Sequence, residues 1–338
     1  MRIILLGFGT VGQALARILL KEMDRFIDAY GFEPRVTGIA DSQGFCSDEA
    51  GLDLALALKV KETKGTISKY PGKGQRTTES SRLIASSESE VAVETTPSNF
   101  TKGEPGLSNI KQSLSTGKHV ITANKGPLAL AMPALLELAA HKKLKMLFSG
   151  TVGGGTPFLS FASKCLSGEK ILGVRGILNG TSNYILTRME DKSLTFKKAL
   201  LEAQQKGYAE SDPSNDVEGL DTAAKMVIIA NWVMKRRITL HDMKITGISS
   251  VTPERLKRAR TSGSRLKLVG RLSESETSVR PEEVPLNDSI CVPDTLNALT
   301  FSTEHTGDMT LIGQGAGGEQ TAGAIIRDLV DIRQEYKI

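Results

Sequence analysis

The chain has 338 residues, 39% of them hydrophobic and 24% charged, with a formal net charge of +5. That balance describes a soluble globular protein of one or two domains and gives no reason to expect nucleic acid as a partner. Cys46, Cys165 and Cys291 are isolated and odd in number, and the four histidines are scattered, so neither a disulfide framework nor a zinc site is expected. The longest apolar run, around Met226 to Met234, is too short to cross a bilayer, and glycines interrupt the amino-terminal apolar stretch at once. A cytoplasmic protein with no membrane partner follows as the expectation.

Arg2 to Leu6 is a short apolar run ending in Gly7-Phe8-Gly9-Thr10-Val11-Gly12, and an amphipathic pattern follows from Gln13 to about Tyr30. Strand, glycine turn and helix in that order make a dinucleotide fingerprint. The first glycine permits a tight turn, the second lets a pyrophosphate approach the backbone, and the third lets helix and strand pack closely. Free amides at the helix start then hold the phosphates. A second strand, Arg35 to Ala40, delivers Asp41 where a ribose-binding acid belongs. Asp41 favours NAD, whereas the Ser42 hydroxyl can donate to the extra phosphate of NADP, so both dinucleotides stay open.

Asp48 to Lys64 reads as a helix and Thr66 to Ser81 as a polar surface excursion. Glu90 to Thr96 is a buried strand, and ligands of a doubly wound sheet bind beyond the carboxyl ends of its strands. Thr95, Thr96 and Pro97 therefore become candidates for the nicotinamide half. Leu107 to Thr116 is a helix and His119 to Thr122 a strand. After it comes Ala123-Asn124-Lys125-Gly126-Pro127, which places Lys125 at another strand end, before the helix Pro127 to His141. Leu144 to Phe148 is a further strand.

Ser149 to Pro157 is dominated by glycine and marks the exit from the nucleotide domain, either as a hinge or as a turn whose carbonyls converge on a cation or ligand. Phe158 to Leu166 is an apolar helical pattern with Cys165 as core. Ile171 to Leu178 is strand-like, and Asn179-Gly180-Thr181-Ser182-Asn183-Tyr184 opens a helix. Thr195 to Lys206 is the next helix.

The stretch from Gly207 to Lys225 is acidic in a basic chain. Asn215 and Glu218 fit a capping box, so a helix is expected to start there with Leu220, Ala224, Val227 and Ile228 as its buried stripe. Asp221 and Lys225 are one turn apart and project together with the loop that carries Glu210 and Asp216. The alternative is a solvated helix with an ordinary ion pair.

Lys244 to Val251 and Arg265 to Leu272 read as short strands. The basic residues Arg255, Lys257, Arg258, Arg260, Arg265, Lys267 and Arg271 read as a solvated helix and strand face. After the prolines 281, 285 and 293, a second glycine turn, Gly313 to Gly318, leads into the last helix, Thr321 to Ile332.

These pieces in this order resemble a homoserine dehydrogenase from Arg2 to the last helix. The likeness is carried by Gly7 to Gly12, Asn124-Lys125-Gly126-Pro127-Leu128, Gly176 to Tyr184, Gly207 to Lys225, and Gly315-Ala316-Gly317-Gly318. The resemblance implies an α/β fold: a Rossmann-type dinucleotide-binding domain (1–148 and 312–338) plus an α+β catalytic and dimerisation domain (149–311). The activity it implies is NAD(P)-dependent interconversion of L-homoserine and L-aspartate 4-semialdehyde in threonine and methionine biosynthesis, by a homodimer.

The resemblance assigns proton transfer to Lys225, helped by Lys125, and substrate binding to Thr181, Glu210, Asp216 and Asp221. It adds Gly207 and Gly315 to the cofactor contacts. It also implies a monovalent cation, sodium or potassium, on the carbonyls of Val152, Gly154 and Thr156, although Ser149 stands where an acid is usual. A carboxyl-terminal amino-acid-sensing domain is not expected, nor inhibition by threonine through one. The chemistry agrees: an ammonium group needs carboxylates, and oxidation of a primary alcohol needs a base for its proton. The competing readings are a related oxidoreductase, such as an aspartate-semialdehyde dehydrogenase needing a cysteine nucleophile, and a dinucleotide sensor that has no use for Lys225.

Overall fold

In the computed structural model, residues 1–77 and 79–336 are described. The strands of the first sheet are β1 (Arg2–Leu6), β2 (Arg35–Asp41), β3 (Gly44–Ser47), β4 (Gly74–Arg76), β5 (Val91–Glu94), β6 (His119–Thr122) and β7 (Met146–Leu147). They lie in the order β4-β3-β2-β1-β5-β6-β7. Strands β2, β1, β5, β6 and β7 run parallel, and β3 and β4 extend the edge antiparallel. Successive side chains of a strand point to opposite faces. Accordingly Ile3 and Leu5 pack with Leu15 and Leu19 of the helix Thr10–Lys21, while Ile4 and Leu6 pack with Leu83 and Ile84. Both faces are covered, so β1 reads as a continuous apolar run. Each such buried aliphatic contributes about 1.5–3 kcal/mol.

The second sheet is built from β8 (Ile171–Ile177), β9 (Lys244–Ile245), β10 (Ser264–Leu272), β11 (Thr277–Pro285), β12 (Leu296–Thr303) and β13 (Asp308–Gln314). Its order is β13-β12-β8-β10-β11-β9, antiparallel except where β9 joins β11. The helix Leu220–Trp232 packs over β10. Gly270 allows this, because a Cβ there would sit 2.7 Å from Cγ of Met226.

The chain divides into two units, Met1–Thr151 with Gly317–Ile338, and Val152–Ala316. The expected borders at 148/149 and 311/312 shift for a topological reason: residues 312–314 belong to β13 and are hydrogen-bonded to β12. The last helix, Gly318–Tyr336, packs Ala322, Ile325, Leu329 and Ile332 into the first unit's core.

Several local expectations change. The first helix breaks at Glu22 into Thr10–Lys21 and Met23–Tyr30. The helix expected from Asp48 starts at Leu54, where the Asp53 side chain caps it, and a turn follows β3 in the residues before. The excursion 66–81 contributes β4 to the sheet; Thr78 within it lies outside the described residues, as do Lys337 and Ile338. The strand expected over Lys244 to Val251 keeps only Lys244–Ile245, and Pro281 and Pro285 sit within β11. Cys165 is exposed just beyond the helix Phe158–Lys164 and is not core. Lys267, read as part of a solvated face, is buried. Its Nζ donates to Asn183 Oδ1 at 2.7 Å and to the Val292 carbonyl at 2.7 Å, and burial lowers its pKa to about 8.

Candidate active site

The glycine turn of the first unit has the shape the fingerprint requires. Gly7 has φ +107, and a Cβ there would lie 2.7 Å from the Thr95 carbonyl carbon. The Thr95 hydroxyl donates to the Gly7 carbonyl at 2.9 Å, which ties the turn to the end of β5. A Cβ on Gly12 would run into the Gly7 carbonyl, whereas over Gly9 the space is open. Gly9 is the N-cap of the helix Thr10–Lys21 and has no capping side chain. Exposed Gly9 and Thr10 thus present a helix start to an anion. Val11 is half-buried, and the Phe8 ring is core, so Phe8 offers a ligand only its backbone. This cradle fits a dinucleotide pyrophosphate.

Asp41 departs from expectation. Its carboxylate accepts from Lys61 Nζ at 2.7 Å, the Ile67 amide at 2.9 Å, the Thr66 hydroxyl at 3.0 Å and the Gln43 amide at 2.9 Å. Burial pushes this carboxyl up, but the hydrogen bonds from Lys61, Gln43 and Ile67 and the Lys61 charge hold it below its usual value. Asp41 therefore organises the end of β2, and the exposed Ser42 beside it is the group turned to solvent. Beyond β5, Thr95 and Thr96 are half-buried and Pro97 exposed. Lys125 opens the helix Lys125–His141, which Asn124 caps, and the Lys125 amide donates to Ser98 Oγ at 3.1 Å.

In the second unit the acidic stretch is mostly exposed up to Glu218, but its Asp221–Lys225 pair does not lie on a solvated helix face. It forms a short helix, Ser214–Val217, then turns at Gly219 with φ +85 before Leu220–Trp232 begins. The expected capping box is absent, and the long helix is buried on every side from Asp221 to Asn231, not along one stripe. Lys225 Nζ lies 2.6 Å from Asp221 Oδ2 and donates to the Leu178 carbonyl at 2.6 Å. Asn179, beyond the end of β8, donates from Nδ2 to Asp221 Oδ2 at 2.9 Å and to Asp216 Oδ1 at 2.6 Å. Its Oδ1 caps the helix Gly180–Asp191 through the Ser182 amide. Asn179 is thus the hub; sequence reading placed it at a helix start among side chains suited to small polar groups but gave it no role of its own.

Thr181 and Glu210 are placed differently. The Thr181 hydroxyl donates to the Tyr208 carbonyl at 2.6 Å, so it latches the loop that carries Glu210. The Glu210 carbonyl accepts from Gln204 Nε2 at 3.1 Å, and the residue itself is exposed. Gly207 starts this loop with φ +73.

Gly315 is buried against the Asn297 side chain, which occupies the place a Cβ would take. In the turn expected to hold a cation, the Gly153 carbonyl accepts from the Thr156 amide at 2.8 Å and the Thr156 carbonyl from the Phe158 amide at 2.9 Å. One of the three expected ligands is thus already engaged, and Val152 is buried. Ser149 brings no charge of its own. Its hydroxyl and amide donate to Asp328 at 2.6 and 3.0 Å.

Comparison with known proteins gives both units a family. Residues 157–330 match the model of homoserine dehydrogenase, and residues 7–149 match that of the homoserine dehydrogenase NAD-binding domain. The chain is 44% identical to the homoserine dehydrogenase of Methanocaldococcus jannaschii over 100% of both chains. It is 35% identical to the NAD(+)-dependent homoserine dehydrogenase of Pseudomonas canavaninivorans, over 98% of this chain and 96% of that one. Among solved structures, a hyperthermophilic archaeal homoserine dehydrogenase in complex with NADPH aligns with a TM-score of 0.87 at 27% identity, over 99% of this chain and 98% of the other. With both halves matched and a full-length relative at this identity, the chain belongs to the homoserine dehydrogenase family.

Proposed function

We propose that Lys225 is the proton-transferring residue in the NAD(P)-dependent interconversion of L-homoserine and L-aspartate 4-semialdehyde. The observation that carries this is the commitment of its ammonium group. Two of its three N–H bonds go to Leu178 and Asp221, which leaves one for the substrate oxygen. In the oxidative direction the neutral amine takes the hydroxyl proton; in the reverse direction the ammonium returns it and stabilises the developing alkoxide. A dinucleotide held by the turn from Gly7 to Gly12 would accept or supply the hydride. Asp221 stabilises the charged amine, and Asn179 holds Asp221 and Asp216 in place. Glu210, exposed on its latched loop, suits the substrate ammonium.

In the first unit the cradle from Gly7 to Gly12 supports pyrophosphate binding, and Thr95, Thr96, Pro97 and Lys125 are the groups for the nicotinamide side. We infer a homodimer through the second sheet, where Ile312 of the end strand β13 is 52% exposed; sedimentation as a monomer would contradict it. We infer a cytoplasmic location from the reaction class; among the described residues no helix is long and apolar enough to cross a membrane. The deciding experiment is a spectrophotometric assay of homoserine oxidation with NAD and NADP side by side. No turnover with either would sink the reading.

A further inference from the structure

Glu94, the last residue of the interior strand β5, is a fully buried carboxyl at the carboxyl-terminal end of the first sheet's parallel strands, beside the segments read as nicotinamide-side contacts. Oε1 accepts from the Thr96 amide at 3.0 Å and from the Thr96 hydroxyl; Oε2 accepts from the Thr122 hydroxyl at 3.2 Å. Each threonine oxygen then accepts from Asn124. Nδ2 donates to Thr96 at 3.1 Å, and the backbone amide donates to Thr122 at 3.0 Å. Asn124 also reaches the Pro97 carbonyl at 3.3 Å and caps the helix opened by Lys125 through the Gly126 amide at 3.0 Å.

The direction of these bonds is the informative feature. A carboxylate only accepts, so both hydroxyl protons must point at Glu94, and the lone pairs left over face Asn124. One acceptor-only group thereby sets the sense of both threonine hydroxyls that tie the ends of β5 and β6 together. Its partners are neutral donors, and burial raises its pKa to about 7 despite them. Such a buried acid costs stability, and a neutral residue would fill the space as well if packing were its only role.

We propose that Glu94 is a positioning residue for hydride transfer, fixing Thr95–Pro97 and Asn124–Lys125 in register against the nicotinamide half of the dinucleotide. This rests on the reading of those two segments as nicotinamide-side contacts.

The test compares Glu94→Gln and Glu94→Asp with the unaltered enzyme, well above the titration of this carboxyl. Calorimetry gives the affinities for ADP-ribose and NADH, and steady-state assays give kcat and KM for homoserine. Glu94→Gln keeps the volume but adds an amide that donates, so one threonine hydroxyl must turn its proton away from residue 94, with only the N–H donors of Asn124 on its other side. ADP-ribose affinity is expected to stay within about twofold, while NADH affinity falls and kcat drops about 10- to 100-fold, the range for a small misplacement of reacting groups. KM for homoserine should move far less. Glu94→Asp, still acceptor-only, should retain more of the rate than Glu94→Gln.

An unchanged kcat in Glu94→Gln overturns the proposal. So does a parallel loss of ADP-ribose and NADH binding, or failure of both variants to fold, because each marks a purely structural role. A wild-type chain inactive on homoserine would defeat the proposed reaction instead, and the ADP-ribose against NADH comparison would still decide the role of Glu94.

Discussion

Lys225 Nζ and Asp221 Oδ2 lie 2.6 Å apart, one turn along a helix whose neighbouring residues are buried as well. Removing one member of a buried pair leaves the other charge uncompensated, which costs about 3–5 kcal/mol. Lys225→Ala should therefore do two separable things. Turnover should fall by about 10²–10⁴-fold, the contribution of a positioned acid or base, and the urea midpoint should drop. Because the pyrophosphate cradle from Gly7 to Gly12 is untouched by this change, NADH affinity measured by calorimetry should stay near wild type. A variant with the wild-type rate would remove Lys225 from the chemistry.

Asn179 supplies both of its Nδ2 protons to carboxylates and its Oδ1 to a helix cap. Asn179→Asp keeps the cap but places a third carboxylate against Asp216 and Asp221, whereas Asn179→Ala loses all three bonds. Hydrogen bonds to charged groups contribute about 1.5–3 kcal/mol each, so both variants should be destabilised, with a raised KM for homoserine. The aspartate variant should also recover activity as pH falls, because one carboxyl of the cluster must take up a proton. A pH profile parallel to that of the wild type would show that Asn179 does not mediate between the acids.

The features legible from sequence were those decided locally. The turn Gly7 to Gly12 was readable because its glycines answer contacts within one strand-helix unit and with the adjacent strand end. The partners of Asp41 were not, since Lys61, Thr66 and Ile67 return from a later segment to take the carboxylate a ribose was expected to meet. The capping-box reading at Asn215 and Glu218 failed for a tertiary reason. Gly219 adopts φ +85 where Ile245 and Val279 press to within 3.2 Å of a Cβ position, so the helix restarts one residue later. Lys267 was misread because an alternating strand shows which residues share a face, not which face is lined with acceptors; Asn183 and Val292 supply those from elsewhere in the fold.

Gly7→Ala should disable the first unit's cradle. Its φ of +107 is a conformation that L side chains rarely adopt, and the added methyl would meet the Thr95 and Thr96 backbone at 2.7–2.8 Å. Neither strand end can give way without breaking the Thr95 to Gly7 hydrogen bond. Dinucleotide affinity should fall more than about tenfold, equivalent to 1.4 kcal/mol, with a lower melting temperature. Gly9→Ala meets open space, so it should melt near wild type while still weakening pyrophosphate binding. Wild-type affinity in both variants would show that the turn does not approach the ligand.

Asp328 gives the protein a pH dependence of predictable sign. Burial pushes its carboxyl up to about 7, although the Ser149 hydroxyl and amide oppose the shift; Asp331 adds to it and Arg327 opposes it. The unfolded chain releases this proton near the ordinary aspartate value of about 4. Between these two values the folded state holds more protons than the unfolded one, so this group's contribution to stability falls as pH rises and is flat above the upper value. Asp328→Asn removes the titration yet keeps an oxygen to accept the Ser149 amide and an NH₂ to donate to its hydroxyl. From about pH 5 to about pH 8 the variant should therefore gain stability relative to wild type, each kcal/mol appearing as about 2–4 °C in Tm. Ser149→Ala should act the opposite way, taking the hydroxyl donor from the charged form while the backbone amide stays, and extending the wild-type decline to higher pH. Melting curves for wild type and Asp328→Asn that run parallel across this range would mean that the Asp328 carboxyl titrates alike in the folded and unfolded chain.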